Sequence, residues 1–395
     1  MESELPEVEA RRPAAVHWLL LWVVLTAAAY ALSARVGLLL AMPPAFKATA
    51  VWAPSGIAIA ALLLAGRSVW PGVLIGAFVG NVLDYFEPDN AFPLASHIGL
   101  SLGIAAASTL QALFALALIL RFTGGDKLLE RTRDIARFLA LVPVACVVAP
   151  TLAIPTIVAL GFAGWAAFPS TWLTWWLGDV VGIILMTPLI LAWSKPDDTR
   201  WRTARILEGT AVLGLIWVVG SLSFAGWTSI QALAMAAAFL VIPLVVWGAF
   251  RFGWRGATVG PALFSVFAIW GTTTGHGPFF FQDRAESLLA LQAFVAIVAI
   301  TAHLLAAVLH ERRREELAKD EAYAQLEHSL RDIRTLRGLI PICAWCKKIR
   351  NDGGGWEQLE AYIKRFSDAD FSHSICPDCA DSIQADLEPP YNPQT

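Results

Sequence analysis

The sequence predicts an all-α polytopic membrane bundle of about ten transmembrane helices, followed by a connector helix and a small α+β zinc-knuckle-type domain. Three observations predict it. Only 15% of the residues are charged while 57% are hydrophobic, against roughly 25% charged in soluble globular domains. Apolar runs of helix-spanning length follow one another through the first 310 residues. Four of the five cysteines then stand as two Cys-x-x-Cys pairs close to the C-terminal end. The formal net charge of -3 conceals a division, since the apolar part carries few charges and the remainder is crowded with them.

A helix crosses the hydrocarbon with about 20 apolar residues, and shorter runs serve where flanking side chains snorkel or the bilayer thins. Such runs occupy 15–34, 50–66, 69–86, 95–120, 135–160, 171–193, 206–224, 229–249, 256–273 and 286–310, the second and third being the shortest. With residues 1–14 as a cytoplasmic tail, alternation sends Arg67 and the basic residues within 11–12, 121–137, 195–205, 251–255 and 312–314 to the cytoplasmic side. Only Arg35, Lys47 and Arg284 fall opposite. That asymmetry is what the positive-inside rule expects, and adding or removing one helix would invert every later loop. Eight spans fit only if two neighbouring runs are jointly re-entrant. The seventeen tryptophans, many near the ends of runs, suit interfacial aromatic belts. Arg11 and Arg12 before the first run, with Ala29-Tyr30-Ala31 near its end, have the pattern of a secretory signal. Because so many spans follow, an uncleaved anchor is the expectation.

Ionisable residues inside a span are costly and tend to face the bundle interior or a cavity. Asp179 follows Trp172, Trp175 and Trp176 on the sixth run, so a carboxylate and an aromatic wall suit a cationic or polar ligand. The alternative, held open, is that Asp179 hydrogen-bonds a neighbouring helix. Asn81, Asp84, His97, Gln111, Gln231, Gln292 and His303 read as interhelical glue, and Cys146 as packing. Two short turns have related composition, residues 66–72 and 250–256, which raises the idea of a parallel internal repeat.

From 311 to 338 a charged connector helix continues the last span through Glu311, Arg312, Arg313, Arg314, Glu315 and Glu316. Tyr323, Leu326, Leu330, Ile333 and Ile340 occupy a and d heptad positions, interrupted by Arg337. A solvated connector and a parallel coiled coil joining a homodimer are the two readings of so short a repeat.

Residues 339–388 form the four-cysteine module and 389–395 a tail. Cys343 with Cys346, and Cys376 with Cys379, are separated by 29 residues. Two-residue spacing lets both thiolates of a pair approach one ion, and two pairs complete the tetrahedral sulfur shell that zinc accepts. The topology puts them on the reducing side, where a structural disulfide is disfavoured. A chain this short has a thin core, and a structural zinc supplies on the order of 10–16 kcal/mol of apparent binding energy. Gly353, Gly354 and Gly355 are expected to turn the chain, and Trp356, Leu359 and Ile363 to present one helical apolar face that caps the metal. His373 is an alternative ligand. The rival reading is thiol redox chemistry promoted by Lys347, Lys348 and Arg350. Those three charges make a weak footprint for nucleic acid, which is not expected as a partner.

Three stretches carry a family likeness. They are Val51-Trp52-Ala53-Pro54-Ser55-Gly56 followed by Trp70-Pro71-Gly72 and Gly76 through Asn81; Trp175-Trp176-Leu177-Gly178-Asp179 with Gly182 and Pro188; and Trp247 through Gly253 with Gly275-His276-Gly277-Pro278-Phe279. Through them the first 310 residues resemble the bacterial membrane-associated sensor domain of the first MASE family. The resemblance implies a multi-pass inner-membrane sensor, which in that family is fused to kinase, cyclase or phosphodiesterase output domains. Trp52 joins Asp179, Trp175 and Trp176 as candidate ligand contacts. The tail, Leu339 through Arg350 with Phe371-Ser372-His373 and Cys376-Pro377-Asp378-Cys379, resembles a module that ends many receiver and PAS signalling chains.

The expected function is therefore signal transduction, coupling an unknown stimulus to a cytosolic zinc-binding module that contacts a signalling protein, both termini being cytoplasmic. A transporter or channel with a regulatory zinc domain is the alternative, and a zinc domain merely tethered to the membrane is a third. No catalytic function is expected, because the sequence offers no nucleophile with its base, no phosphate loop and no paired carboxylates in a soluble segment.

Overall fold

In the computed structural model the described residues are 12–41, 49–85, 92–194, 203–228, 230–337, 340–351, 353–366 and 369–387. Of the residues weighed above, Arg11, Lys47, Lys195, Arg200, Arg202, Leu339 and the tail 389–395 lie outside that set, as do the side chains of Arg12, Asp84, Lys127, Ile333 and Arg337. The chain divides into Met1–Glu315 and Glu316–Thr395.

Apolar composition builds the first unit almost wholly from helices. They are α1 (Arg12–Leu39), α2 (Ala53–Ala65), α3 (Trp70–Tyr85), α4 (Leu94–Phe122), α5 (Thr132–Ala145), α6 (Val148–Ala159), α7 (Phe168–Ser194), α8 (Thr203–Phe224), α9 (Gln231–Phe239), α10 (Val241–Thr273) and α11, which runs from Arg284 to Arg337. Among the described residues seven stretches are long and apolar enough to cross a membrane, and α2 and Arg67–Leu83 are shorter apolar helices. The run expected at 135–160 breaks at Cys146 and Val147, between Pro143 in α5 and Pro150 in α6. Pro143 removes a helical hydrogen bond and crowds the preceding turn, and Pro150 sits in the first turn of α6, where its missing N–H costs that helix nothing.

The stretch Gln231–Thr273, 43 residues long, is not one rod. Gly253 has φ 60° and ψ −139° inside α10. A Cβ on Gly248 would sit 3.3 Å from the Gly256 carbonyl oxygen, and one on Gly260 would sit 3.2 Å from Val245. Residues eight apart on a straight helix are separated by about 12 Å, so α10 folds back on itself at Gly253. The two apolar runs expected at 229–249 and 256–273 are thus separate, antiparallel helical segments.

Glycine sets how closely the helices approach. Gly72, Gly76 and Gly80 on α3 lie against Val23, Ala27 and Ala34 of α1, with a Cβ on Gly76 meeting the Ala27 carbonyl at 2.7 Å. The register advances in the same sense along both helices, so α1 and α3 run parallel. The same relation recurs between α8 and the second limb of α10, where Gly220 meets Phe267 and Gly271 meets Phe224. Each parallel pair is joined through a turn with a left-handed glycine, Gly66 (φ 89°) or Gly253. That geometry supports the internal repeat suggested by the turn sequences. Small residues let backbones touch, which replaces the hydrophobic drive that lipid removes.

Basic residues from several segments meet at one end of this bundle. Arg137 donates to the Phe122 carbonyl at 2.9 Å, Arg205 to that of Arg251 at 3.0 Å, and Arg313 to that of Phe250 at 2.9 Å. Arg314 pairs with Glu130 at 3.1 Å. Arg35 lies elsewhere, directed at the Leu83 carbonyl at the far ends of α1 and α3.

In the second unit α11 ends at Arg337, so the heptad position assigned to Ile340 lies beyond the helix. Tyr323, Leu326 and Leu330 are exposed along it. Strands β1 (Ile349–Arg350) and β2 (Trp356–Glu357) pair antiparallel, followed by α12 (Leu359–Phe366) and α13 (Pro377–Leu387). The glycine-rich turn forms as its composition suggests: Asn351 N–H donates to the Gly355 carbonyl at 2.8 Å, and the Asn351 side chain accepts from Gly355 N–H at 2.7 Å. Trp356 sits on a strand, so it cannot share the helical face expected for it with Leu359 and Ile363. Ile349 alone among the described residues of the module is buried.

Substituting a glycine at a helix contact should be costly where backbone blocks the new Cβ. On Gly182 that Cβ would collide with the Trp52 carbonyl, whereas on Gly214 it meets nothing within 4 Å. Gly182→Val is expected to destabilise the bundle by about 1–3 kcal/mol or more and Gly214→Ala to leave it unchanged, read by thermal unfolding of the detergent-solubilised chain.

Candidate functional site

Asp179 is 6% exposed, and its carboxylate organises the polar interior. Ser55, on the first turn of α2, donates to Oδ1 at 2.6 Å, and Gln111 of α4 donates to Oδ2 at 2.8 Å. Gln111 in turn accepts the backbone N–H of Ala149 at 2.9 Å, satisfying one of the orphan donors at the start of α6. Among the described residues no Lys, Arg or His forms an ion pair with Asp179. The carboxyl group is therefore held by neutral donors from two other helices, and through Gln111 by a third.

Backbone bonds lock the surroundings. Trp52 N–H donates to the Gly178 carbonyl at 2.9 Å, and Thr187 to the Gly56 carbonyl at 3.0 Å, clamping α2 along α7. From α11, Gln292 donates to the Thr49 and Thr174 carbonyls at 3.1 and 2.9 Å. Its own Oε1 is buried without a partner. The final helix thus touches α7 within two turns of Asp179.

Beside the carboxylate lies a cavity of about 40 Å³ lined by Leu38, Thr49, Trp52, Asn81, Ile104, Ser108, Ala149, Trp175, Gly178 and Asp179. At roughly 10–15 Å³ per water, it admits about three or four waters or a guest of a few heavy atoms. Trp52, Trp175 and Asp179 are brought together as candidate contacts. Trp176 is not. Its indole donates to the Pro143 carbonyl at 2.8 Å and stacks on Trp172, whose own indole reaches Thr151. Those contacts hold Trp176 toward α5 and Trp172, so Trp175 lines the cavity and Trp176 does not.

The other polar points disperse. Asn81 lines the cavity while donating to the Ala77 carbonyl of its own helix at 2.7 Å. His97 sits among Phe92 and Phe162, and Gln231 is exposed at the start of α9. His303 of α11 is fully buried against Trp254, with neither ring nitrogen bonded. Cys146 is buried in the main apolar core.

A second polar cluster fastens α11 where its apolar part ends. Glu311 accepts the N–H of Thr132 at 3.2 Å, at the start of α5, where a negative charge is favoured by the helix dipole. Arg313 and Arg314 hold the Gly253 turn and Glu130, as described above. Composition had marked these residues only as charges; their pairing spans distances in sequence that no local pattern reveals.

In the C-terminal unit each Cys-x-x-Cys is a turn. Lys347 N–H donates to the Cys343 carbonyl at 3.0 Å and Cys343 N–H to the Lys348 carbonyl at 2.8 Å, with Lys347 at φ 60°. The second pair opens α13, Ala380 N–H donating to the Cys376 carbonyl at 3.0 Å. The Cys343 thiol is held below the ordinary thiol range, first by the Cys346 backbone N–H, then by that of Trp345 and the Cys346 side chain. Cys376 is lowered in the same way, first by the Cys379 backbone N–H and then by its side chain. Each pair is thus built to carry a thiolate. All four sulfurs are free, and among the described residues no three His, Cys, Asp or Glu side chains converge as a closed metal site requires. His373 is exposed and joins neither pair.

Helices of this length and composition around an interior carboxylate define a multi-pass helical membrane protein. The MASE1 family model matches residues 22–313, and the chain belongs to that family of membrane sensor domains. No curated protein and no solved structure matches it.

The Asp179 network makes a discriminating prediction. Asn at this position can still accept from Gln111 and donate to Ser55, whereas Leu leaves both buried groups unpaired. Asp179→Leu is expected to lower stability by about 1–3 kcal/mol and Asp179→Asn by much less, compared by thermal unfolding in one detergent.

Proposed function

We propose that the chain is a membrane signal receptor in which ten helical segments cross the bilayer, the basic end faces the cytoplasm, and α11 carries a stimulus from the Asp179 cavity to the cysteine module. The observation that carries this reading is the single helix Arg284–Arg337. Near its start Gln292 is bonded to the element that bears Asp179; at its exit Glu311, Arg313 and Arg314 are tied to three other segments. A guest that displaces α7 against α2 changes the seat of Gln292, and a rigid helix relays that change past the polar cluster. Reading the cluster as a latch, charge pairs in water are weak one by one, so a small displacement suffices to release it. The protein acts as an input and interaction device rather than an enzyme.

In the tail, zinc is the cation these thiolate pairs suit, held by Cys343, Cys346, Cys376 and Cys379. With Ile349 as its one buried described residue, the module has almost no apolar core. Metal binding then contributes folding energy that packing does not, and drawing the two pairs together is part of that folding. The metal-bound module presents a surface for a cytosolic signalling partner.

Two measurements test the reading. The purified full-length chain is expected to hold one zinc per protomer by elemental analysis, and Cys343→Ser with Cys376→Ser to abolish it; a chain free of metal under reducing, zinc-replete conditions would overturn the module's assignment. Independently, Arg313→Ala with Arg314→Ala is expected to raise amide hydrogen exchange across 305–330 in nanodiscs, and unchanged exchange would remove the latch.

A further inference from the structure

Apart from the interior cavity, the bundle carries a groove on its outer face with a different chemistry. It lies between α8 and the two limbs of α10, encloses about 390 Å³, and is lined almost entirely by apolar atoms. Gly209, Gly248, Gly256 and Gly260 form part of its wall, so no side chains project from those points to fill it. Its basic mouth includes Arg255, whose guanidinium lies 5.0 Å from the ring centre of Trp193. Around that mouth Arg251 binds Glu208 through a 2.6 Å pair and Arg205 donates to the Arg251 carbonyl. Arg313 reaches the neighbouring Phe250 carbonyl.

Depth and neighbourhood identify the occupant. The lining extends along α8 from Ile206 to Ile216, about 15 Å at 1.5 Å per residue. That is half of the roughly 30 Å hydrocarbon core, the depth of one leaflet. On the other side of Trp193 a second open apolar groove, of about 570 Å³, is lined by α1, α2 and α7 residues including Trp22, Ala61 and Leu189. Trp193 and Val259 line both. An apolar slot one leaflet deep, paired with a second slot and closed at its mouth by arginines, is complementary to a two-chain lipid with a negative headgroup. Basic pockets between transmembrane helices on the cytoplasmic side bind such lipids.

We propose that this face is a binding site for an anionic phospholipid of the leaflet at the basic end, one acyl chain lying in each groove astride Trp193 and the phosphate against Arg255. The site adjoins the Gly253 turn, to which Arg313 of α11 is tied, so a bound lipid braces the same turn that the exit of the last helix grips.

Native mass spectrometry of the full-length detergent-solubilised chain tests it, titrating phosphatidylglycerol against phosphatidylcholine of identical acyl chains. The wild type is expected to retain phosphatidylglycerol in preference, and Arg255→Gln to weaken that retention about fivefold. Gly209→Leu keeps every arginine and fills the groove from a position where the nearest atom to a new Cβ is the Phe252 ring at 3.5 Å; it is expected to lose the retained lipid. Equal retention of the two lipids by the wild type would overturn the proposal, as would phosphatidylglycerol binding that neither substitution alters.

Discussion

A carboxyl group inside an apolar bundle must find donors or the bundle does not close around it. Asp179 finds them on other helices, Ser55 from α2 and Gln111 from α4. Gln111 is then oriented by its second bond, to the start of α6. Because each donor comes from a different segment, the polar contact selects which helices are neighbours, a choice that apolar packing in lipid leaves almost degenerate. Glycine makes the choice geometrically feasible: Gly56 and Gly182 let α2 lie directly on α7, bringing Ser55 within reach of the carboxylate.

Much of this was legible before any coordinates. A lone Asp in an apolar run stands out because such residues are expensive in a span, and Trp175 stands out as part of the aromatic wall one turn before it. Gln111 and Gln292 were visible only as polar points of unknown direction. Ser55 was visible only as part of a motif, since a serine in an apolar helix has a self-satisfying alternative on its own backbone. The pairing that unites these residues spans 124 positions from Ser55 and 68 from Gln111, and periodicity carries no information at that range. Trp176 lies outside the cavity lining because its indole is held by the Pro143 carbonyl and Trp172, partners that sequence proximity to Asp179 does not reveal.

Helix boundaries show the same division between local and distant information. Apolar length located the segments, and the Gly253 reversal falls where charges and one glycine, Phe250-Arg251-Phe252-Gly253-Trp254-Arg255, interrupt an otherwise apolar stretch. In the tail, cysteine spacing located two turns that favour thiolates. It could not say whether the polypeptide alone would unite them, because spacing determines what one turn can do and not what holds two turns together. An almost coreless module lacks the packing energy to impose that union.

The last helix gathers these constraints into one element. Gln292 holds α11 in register with α7 through the Thr174 carbonyl, while its own Oε1 is buried without a partner. At the other end three charged side chains grip backbone and carboxylate groups in a region open to water, where each contact is individually weak. In between, His303 is buried without a bond to either nitrogen, and buried polar groups left unpaired cost free energy that a shifted packing can recover. The proposed relay needs α11 to have alternative positions separated by modest energies, and imperfect contacts at both ends and in its middle are what would supply them. That is the physical requirement for an element whose equilibrium a small guest can bias; a fully satisfied helix would be a better strut and a poorer relay.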